Sequence, residues 1–342
     1  ILSRKNPVSA LRFGSVTDIS HEMGWKMAEI ELDLLLKVRK YSRYAVGLAI
    51  VLSFAFARII EESAITWQVV VALIALAIGI PHGALDHLVT LPRSSAKKMA
   101  LFITVYVAVA ILAVIAMLTW NVVGFILVVI MSAVHFGIGD AAFISEIDRR
   151  SEAKKRFQKY LYATAAGTLP VVIPLVSERS TSALEKVNPA LVDWHQGLNN
   201  DLLLWTMLIT AFALLRLIQR RRDGEAIDLV LLYLLAVTAP PLVAFAVYFG
   251  CWHAMRHTAR LTLTLPSSQA AFADGNSSKA FLRAVLPGTP ALVGTFIVAA
   301  LIVIFRGDSL DDQFLWVSLV VVWALTVPHM AVTARLDRKA LN

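Results

Sequence analysis

The sequence predicts an all-α, polytopic integral membrane protein: a helical bundle of about ten transmembrane helices with both termini cytoplasmic. Three observations predict it. Of the 342 residues 58% are hydrophobic, and the mean hydropathy is +0.70, whereas soluble domains run about 45–50% apolar. The apolar residues come in blocks of roughly 17–25, the length that crosses a hydrocarbon core as helix. Finally, 28 of the 32 Lys and Arg residues fall on one side of the spans so defined, and the side rich in Lys and Arg is the cytoplasmic one.

The elements follow in order. Residues 1–43 are polar and charged, show no signal-peptide pattern, and read as a cytoplasmic N-terminal extension. Within them MGWKMAEIELDLLLKVRK (23–40) has the pattern of a short amphipathic helix lying on the membrane surface. Residues 44–342 read as one membrane-embedded domain. Its spans lie near 44–60, 65–86, 99–118, 121–139, 160–177, 201–217, 227–239, 240–257, 283–305 and 313–333. The seventh is short and runs into Pro240-Pro241, so spans seven and eight form either two crossings or a half-crossing hairpin. In both cases the two ends of the pair face one side. The single cysteine excludes an intramolecular disulfide and a cysteine-based metal box. No nucleic-acid partner is expected; the partner is the lipid bilayer, and the location a cell (inner or plasma) membrane.

Six of the eight histidines lie at the ends of four spans: His82 and His87 on the second, His135 on the fourth, His253 and His257 on the eighth, and His329 on the tenth. All four spans are even-numbered. With the N-terminus inside they all run inward, and the histidines share a depth in the cytoplasmic half of the bilayer. A single histidine at a helix end is ordinarily an interfacial polar residue. Six at one depth are harder to explain that way, and ionisable groups within membranes default to a functional hypothesis.

The spacing suggests metal chemistry. CWHAMRH places His253 and His257 at i, i+4, on one helix face and within reach of one ion. His82 and His135 could complete a set of four nitrogen ligands. On an α-helix each residue turns about 100°. Asp86 therefore shares a face with His82 and can orient an imidazole by accepting its second N–H. His87 points largely away, toward the membrane boundary. In HFGIGD the glycines Gly137 and Gly139 are expected to loosen the helix and let Asp140 turn back toward the site. Imidazole suits Fe, Zn, Cu and Ni; the residues alone do not choose among them. Phe136, Tyr248, Phe249, Trp252 and Trp323 surround the histidine positions, as candidates for the wall of a lipophilic substrate site.

The blocks GIPHGALD (79–86), HFGIGD (135–140), YFGCWHAMRH (248–257) and LTVPHM (325–330) resemble, in order, the signature blocks of the Brp/Blh family, the bacteriorhodopsin-related-protein-like β-carotene 15,15′-dioxygenases. The resemblance covers roughly residues 65–335. It implies a non-haem Fe(2+) enzyme that cleaves the central double bond of β-carotene with O2 to give two molecules of all-trans retinal, the chromophore of a rhodopsin. It places the iron-binding histidines at His82, His135, His253 and His257. His329 falls on a family block and is kept with Asp86 and Asp140 as a supporting residue. His87 and residues 1–43 lie outside the pattern. Two other readings compete. A di-iron lipid desaturase or hydroxylase usually needs about eight histidines in several HxxxH and HxxHH boxes, and this chain has one HxxxH and no HH. A membrane metal or haem carrier without catalysis would place its site near the midplane between inverted repeats, and no repeat is apparent.

Overall fold

The computed structural model describes residues 16–56, 59, 65–91, 95–151 and 156–342, with side chains from residue 27 onward. No strand occurs among the described residues. The helices are α1 (Val16–Phe56), α2 (Ile65–Gly83), α3 (Asp86–Thr90), α4 (Ala96–Thr119), α5 (Asn121–Arg150), α6 (Lys159–Val176), α7 (Ser180–Val187), α8 (Asn199–Gln219), α9 (Asp223–Thr238) and α10 (Pro241–Ala246). A π-helical segment, Val247–Ala254, leads into α11 (Met255–Thr262), followed by α12 (Pro266–Ala273), α13 (Ser277–Val285), α14 (Thr289–Arg306) and α15 (Leu310–Leu341). The start of the N-terminal extension, most of the first span beyond Phe56, and Arg58, Arg93, Lys154 and Lys155 of the charge count lie outside the described residues.

Among the described residues seven helical stretches are long and apolar enough to cross a membrane: Ile65–Thr90, Ala96–Thr119, Asn121–Arg150, Lys159–Val176, Asn199–Gln219, Ser277–Arg306 and Leu310–Leu341. The chain is a helical membrane protein. In hydrocarbon every backbone N–H and C=O must be paired within the segment, and an apolar run satisfies this as helix. The outer helices turn their apolar side chains outward. α4, whose most apolar 18-residue stretch has a mean hydropathy of 2.9, buries only Ala110 and Met117, leaving Leu101, Val105, Leu112 and Ile115 exposed. α6, by contrast, is largely buried in the middle of the bundle.

Two expectations change here. The surface helix expected at 23–40 and the start of the first span form one continuous α1 of 41 residues. The stripe Leu34, Leu35, Val38, Ser42, Val46 and Ile50 is buried along its length, so one apolar face at helical spacing docks both parts onto the bundle. Gly137 and Gly139 do not loosen α5, which runs unbroken from Asn121 to Arg150. A Cβ on Gly137 would overlap the Ala163 carbonyl of α6, and one on Gly167 would overlap that of Ala133. The two helices thus approach backbone to backbone through small residues four apart, as membrane helices often do.

Many of the basic residues counted by side gather at one end of the bundle in ion pairs. Arg39 and Arg43 of α1 bind Asp228 of α9 at 2.9 and 2.6 Å. Arg222 binds Asp148 at 2.9 Å and Glu225 at 2.6 Å. Arg150 binds Glu31 at 2.8 Å, and Arg260 binds Asp337 at 2.6 Å. Arg149 donates to the carbonyls of Lys339 and Ala340, so the end of α15 lies at this same end.

Candidate functional site

Five buried histidines from four chain segments meet inside the bundle near the paired end. α2 delivers His82 directly after Pro81, and the helix stops at Gly83. Proline removes a backbone donor and breaks helical continuity, and residues 84–85 form a turn before α3 restarts at Asp86. α5 delivers His135. The π-helical segment carries His253 and α11 carries His257; such wide turns concentrate at functional sites. α15 delivers His329, again directly after a proline, Pro328.

The ring centroids are close. His82 lies 5.7 Å from His253, 5.3 Å from His257 and 5.2 Å from His329. His135 lies 4.9, 6.2 and 5.2 Å from the same three. His257 lies 5.9 Å from His253 and 5.3 Å from His329. An imidazole bound at about 2.1 Å through one nitrogen has its centre about 3.2 Å from the ion. Two such rings are then about 4.5 Å apart at right angles and about 6 Å apart at wide angles. The spacings observed fall in this range.

The donor chemistry fits a metal as well. His253 Nε2, His329 Nε2 and both ring nitrogens of His257 are buried without a protein hydrogen-bond partner, and an unpaired buried polar group costs about 1–3 kcal/mol. An ion would satisfy them. His82 Nδ1 donates to the carbonyl of Gly79, which leaves its Nε2 with the lone pair. Among the described residues no three His, Cys, Asp or Glu side chains form a ready-made metal site as they stand.

His82, His135, His253 and His329 line a cavity of about 400 Å³ with otherwise mostly apolar walls. Of the five aromatic residues singled out in the sequence, Phe136, Phe249 and Trp323 line it. Tyr248 and Trp252 are fully buried elsewhere. Trp252 Nε1 donates to Asp140 Oδ2 at 2.7 Å, and its ring lies 3.5 Å from the Arg256 guanidinium. Asp140 therefore does not turn back onto an imidazole; it faces Trp252 and, at 3.6 Å, Arg256. Asp86 does accept from an imidazole, but from His329 rather than His82, at 2.9 Å to each oxygen. The face shared with His82 on an uninterrupted helix is lost because α2 ends between them. His87, expected to point away, is half-buried and lines the cavity. His195 sits apart, 3.7 Å from Asp193.

Sequence reasoning missed Tyr106, whose hydroxyl donates to Asp86 at 2.9 Å, and the buried pair Arg256 and Asp228. The signal for the last two was present: a charge inside an apolar stretch, EAIDLVLLYLL and CWHAMRH, is itself a pointer. Nothing local distinguishes Tyr106 from an ordinary aromatic residue in a span.

The comparisons with known proteins agree with the residue blocks. A β-carotene 15,15′-dioxygenase of an uncultured marine bacterium is 27% identical over 191 residues, which cover 53% of this chain and 64% of that protein, less than two thirds of its length. The probable β-carotene 15,15′-dioxygenase Blh of Halobacterium salinarum is 25% identical over 297 residues, 77% of this chain and 82% of that one. The probable β-carotene 15,15′-dioxygenase Brp of the same species is 24% identical over 349 residues, 92% of this chain and 95% of that one. No solved structure matches. The family model for β-carotene 15,15′-dioxygenase matches residues 73–337, a stretch that takes in all five clustered histidines, and the chain belongs to that family.

Proposed function

We propose that this protein is an Fe(2+)-dependent oxygenase of the cell (inner or plasma) membrane that cleaves the central 15,15′ double bond of β-carotene with O2. The double bond breaks, each of its carbons becomes an aldehyde, and two molecules of all-trans retinal result, for use by a rhodopsin. His82, His135, His253 and His257 hold the iron. When bound, the iron supplies activation of O2. The observation that carries this reading is the apolar cavity whose wall contains four of the five buried imidazoles of the cluster.

The chain's own groups do the rest. The apolar walls exclude water and accept a hydrocarbon arriving from the bilayer. Phe136, Phe249 and Trp323 offer flat surfaces against which a conjugated chain packs. A second, smaller apolar cavity of about 80 Å³ shares Ser132, Phe136, Phe245 and Trp323 with the first. The two adjoin at these residues, and an apolar chain held beside the histidines has room to continue from one into the other. Holding the bond to be cut beside the site is the positional contribution to the rate.

Purified protein supplied with Fe(2+) and β-carotene in detergent is expected to yield retinal as the sole carbonyl product, resolved by chromatography. Apocarotenals of unequal length would overturn central cleavage. Ser132, half-buried at the junction of the two cavities, offers a sharper test. Ser132→Phe narrows the passage and is expected to lower kcat/KM for β-carotene about tenfold or more, which is about 1.4 kcal/mol of transition-state binding per tenfold. A shorter apocarotenal should suffer less. Equal losses on both substrates would count against the two-cavity path.

A further inference from the structure

We propose that His329 is a fifth imidazole ligand, held in place by Asp86 and Tyr106, so that one ligand position opens into the cavity opposite His257. The proposal rests on the metal reading above and extends its four-histidine set.

The ring contacts carry the argument. His257 touches all four of the other rings, at 5.3–6.2 Å. His82 and His135 each touch both His253 and His329, at 4.9–5.7 Å. Among the described residues no ring contact joins His82 to His135 or His253 to His329. This is the neighbour pattern of a square-based pyramid: His82 opposite His135, His253 opposite His329, and His257 at the apex. Without His329 the base lacks a corner. The cavity supplies an independent check. Its wall includes the four basal residues and not His257, as it must if the open face of the pyramid looks into it.

The hydrogen bonds around His329 point the same way. Nδ1 of His329 donates to the Asp86 carboxylate, 2.9 Å from each of its two oxygens. The lone pair is therefore on Nε2, which is buried and has no protein partner. Tyr106 donates to Asp86 Oδ2 at 2.9 Å and reaches the Leu325 carbonyl at 3.3 Å, one turn before His329 on α15. A carboxylate that fixes one ring nitrogen and leaves the other free is the usual support of a metal-bound imidazole. With five imidazoles holding it, an ion would have little room for any further ligand but a small one, and the polyene would be held by the cavity walls.

The test uses the full chain in detergent, loaded anaerobically with Fe(2+). X-ray absorption counts the imidazoles around the iron, and competition with a chelator measures affinity. His329→Ala is expected to lose one imidazole from the spectrum and at least tenfold in affinity. Asp86→Asn is expected to keep the imidazole count but weaken affinity about 10–100-fold, the usual cost of losing such a support, and Tyr106→Phe to weaken it less. A His329→Ala protein with the wild-type count and affinity overturns the proposal. Should that variant not fold, Asp86→Asn decides: unchanged affinity overturns it. If the wild-type protein takes up no iron, or takes it up equally as His257→Ala, the metal reading itself falls and this proposal with it.

Discussion

Alanine in place of His257 is expected to strip the protein of iron and abolish retinal formation. His257 is buried, contacts the four other rings of the cluster, and leaves both of its nitrogens without a protein partner. Alanine supplies no donor. The walls around it are apolar, so water does not readily take the ligand's place, and an underligated divalent ion in such surroundings is costly. The same outcome is expected for His82→Ala, His135→Ala and His253→Ala. Elemental analysis for iron, with chromatography for retinal, checks each variant. Full iron occupancy and turnover in any two of the four would show that the ligand set is wrong. Folding is monitored by size-exclusion profile, since a loss of activity in aggregated protein says nothing about ligands.

Asp228→Ala is expected to cost about 3–5 kcal/mol of stability, the range measured when one partner of a buried ion pair is removed. Asp228 is fully buried and serves three guanidinium groups. It accepts from Arg39 at 2.9 and 3.1 Å and from Arg43 at 2.6 Å, both on α1, and lies 3.5 Å from Arg256 between the two histidines of HAMRH. Removing it leaves three guanidinium groups with only Glu225 and Asp140 to balance them and loosens the hold of α9 on α1. Thermal unfolding in detergent should show a markedly lower midpoint, and limited proteolysis should release the N-terminal helix. A variant with the wild-type midpoint would mean that Asp140 and Glu225, which also face these arginines, suffice without it.

The helical membrane character of the chain was legible in the sequence because it depends on local quantities. Apolar block length is counted along the chain, and lipid requires each segment to close its own hydrogen bonds. The histidines that meet were legible too, as six imidazoles at one depth on four spans, five of which the fold brings into one cluster. The i, i+4 pair His253 and His257 shares a face even though the backbone between them passes from π-helix to α-helix, with rings 5.9 Å apart and nearly parallel.

What the tertiary structure decided is the partner of each supporting group. Asp86 was read on a continuous helix and assigned to the face of His82; a break of two residues turns it to His329, 243 positions away in the chain. Asp140 was read as turning back through flexible glycines; those glycines instead admit the backbone of α6 and, at Gly139, the ring of His253. Trp252 reads as substrate wall in the sequence but is spent on Asp140, to which it donates, and on Arg256, which lies over its ring. Residues 23–40 read as a surface helix separate from the span at 44–60, but both belong to α1, which is clamped to α9 by an acid some 185 residues further on. The physical reason is the same in every case. Hydropathy and helical spacing state which side chains a segment offers, and to which side of its own axis. Which neighbour stands on that side is set by the close packing of helices distant in sequence, and a single proline or glycine is enough to change it.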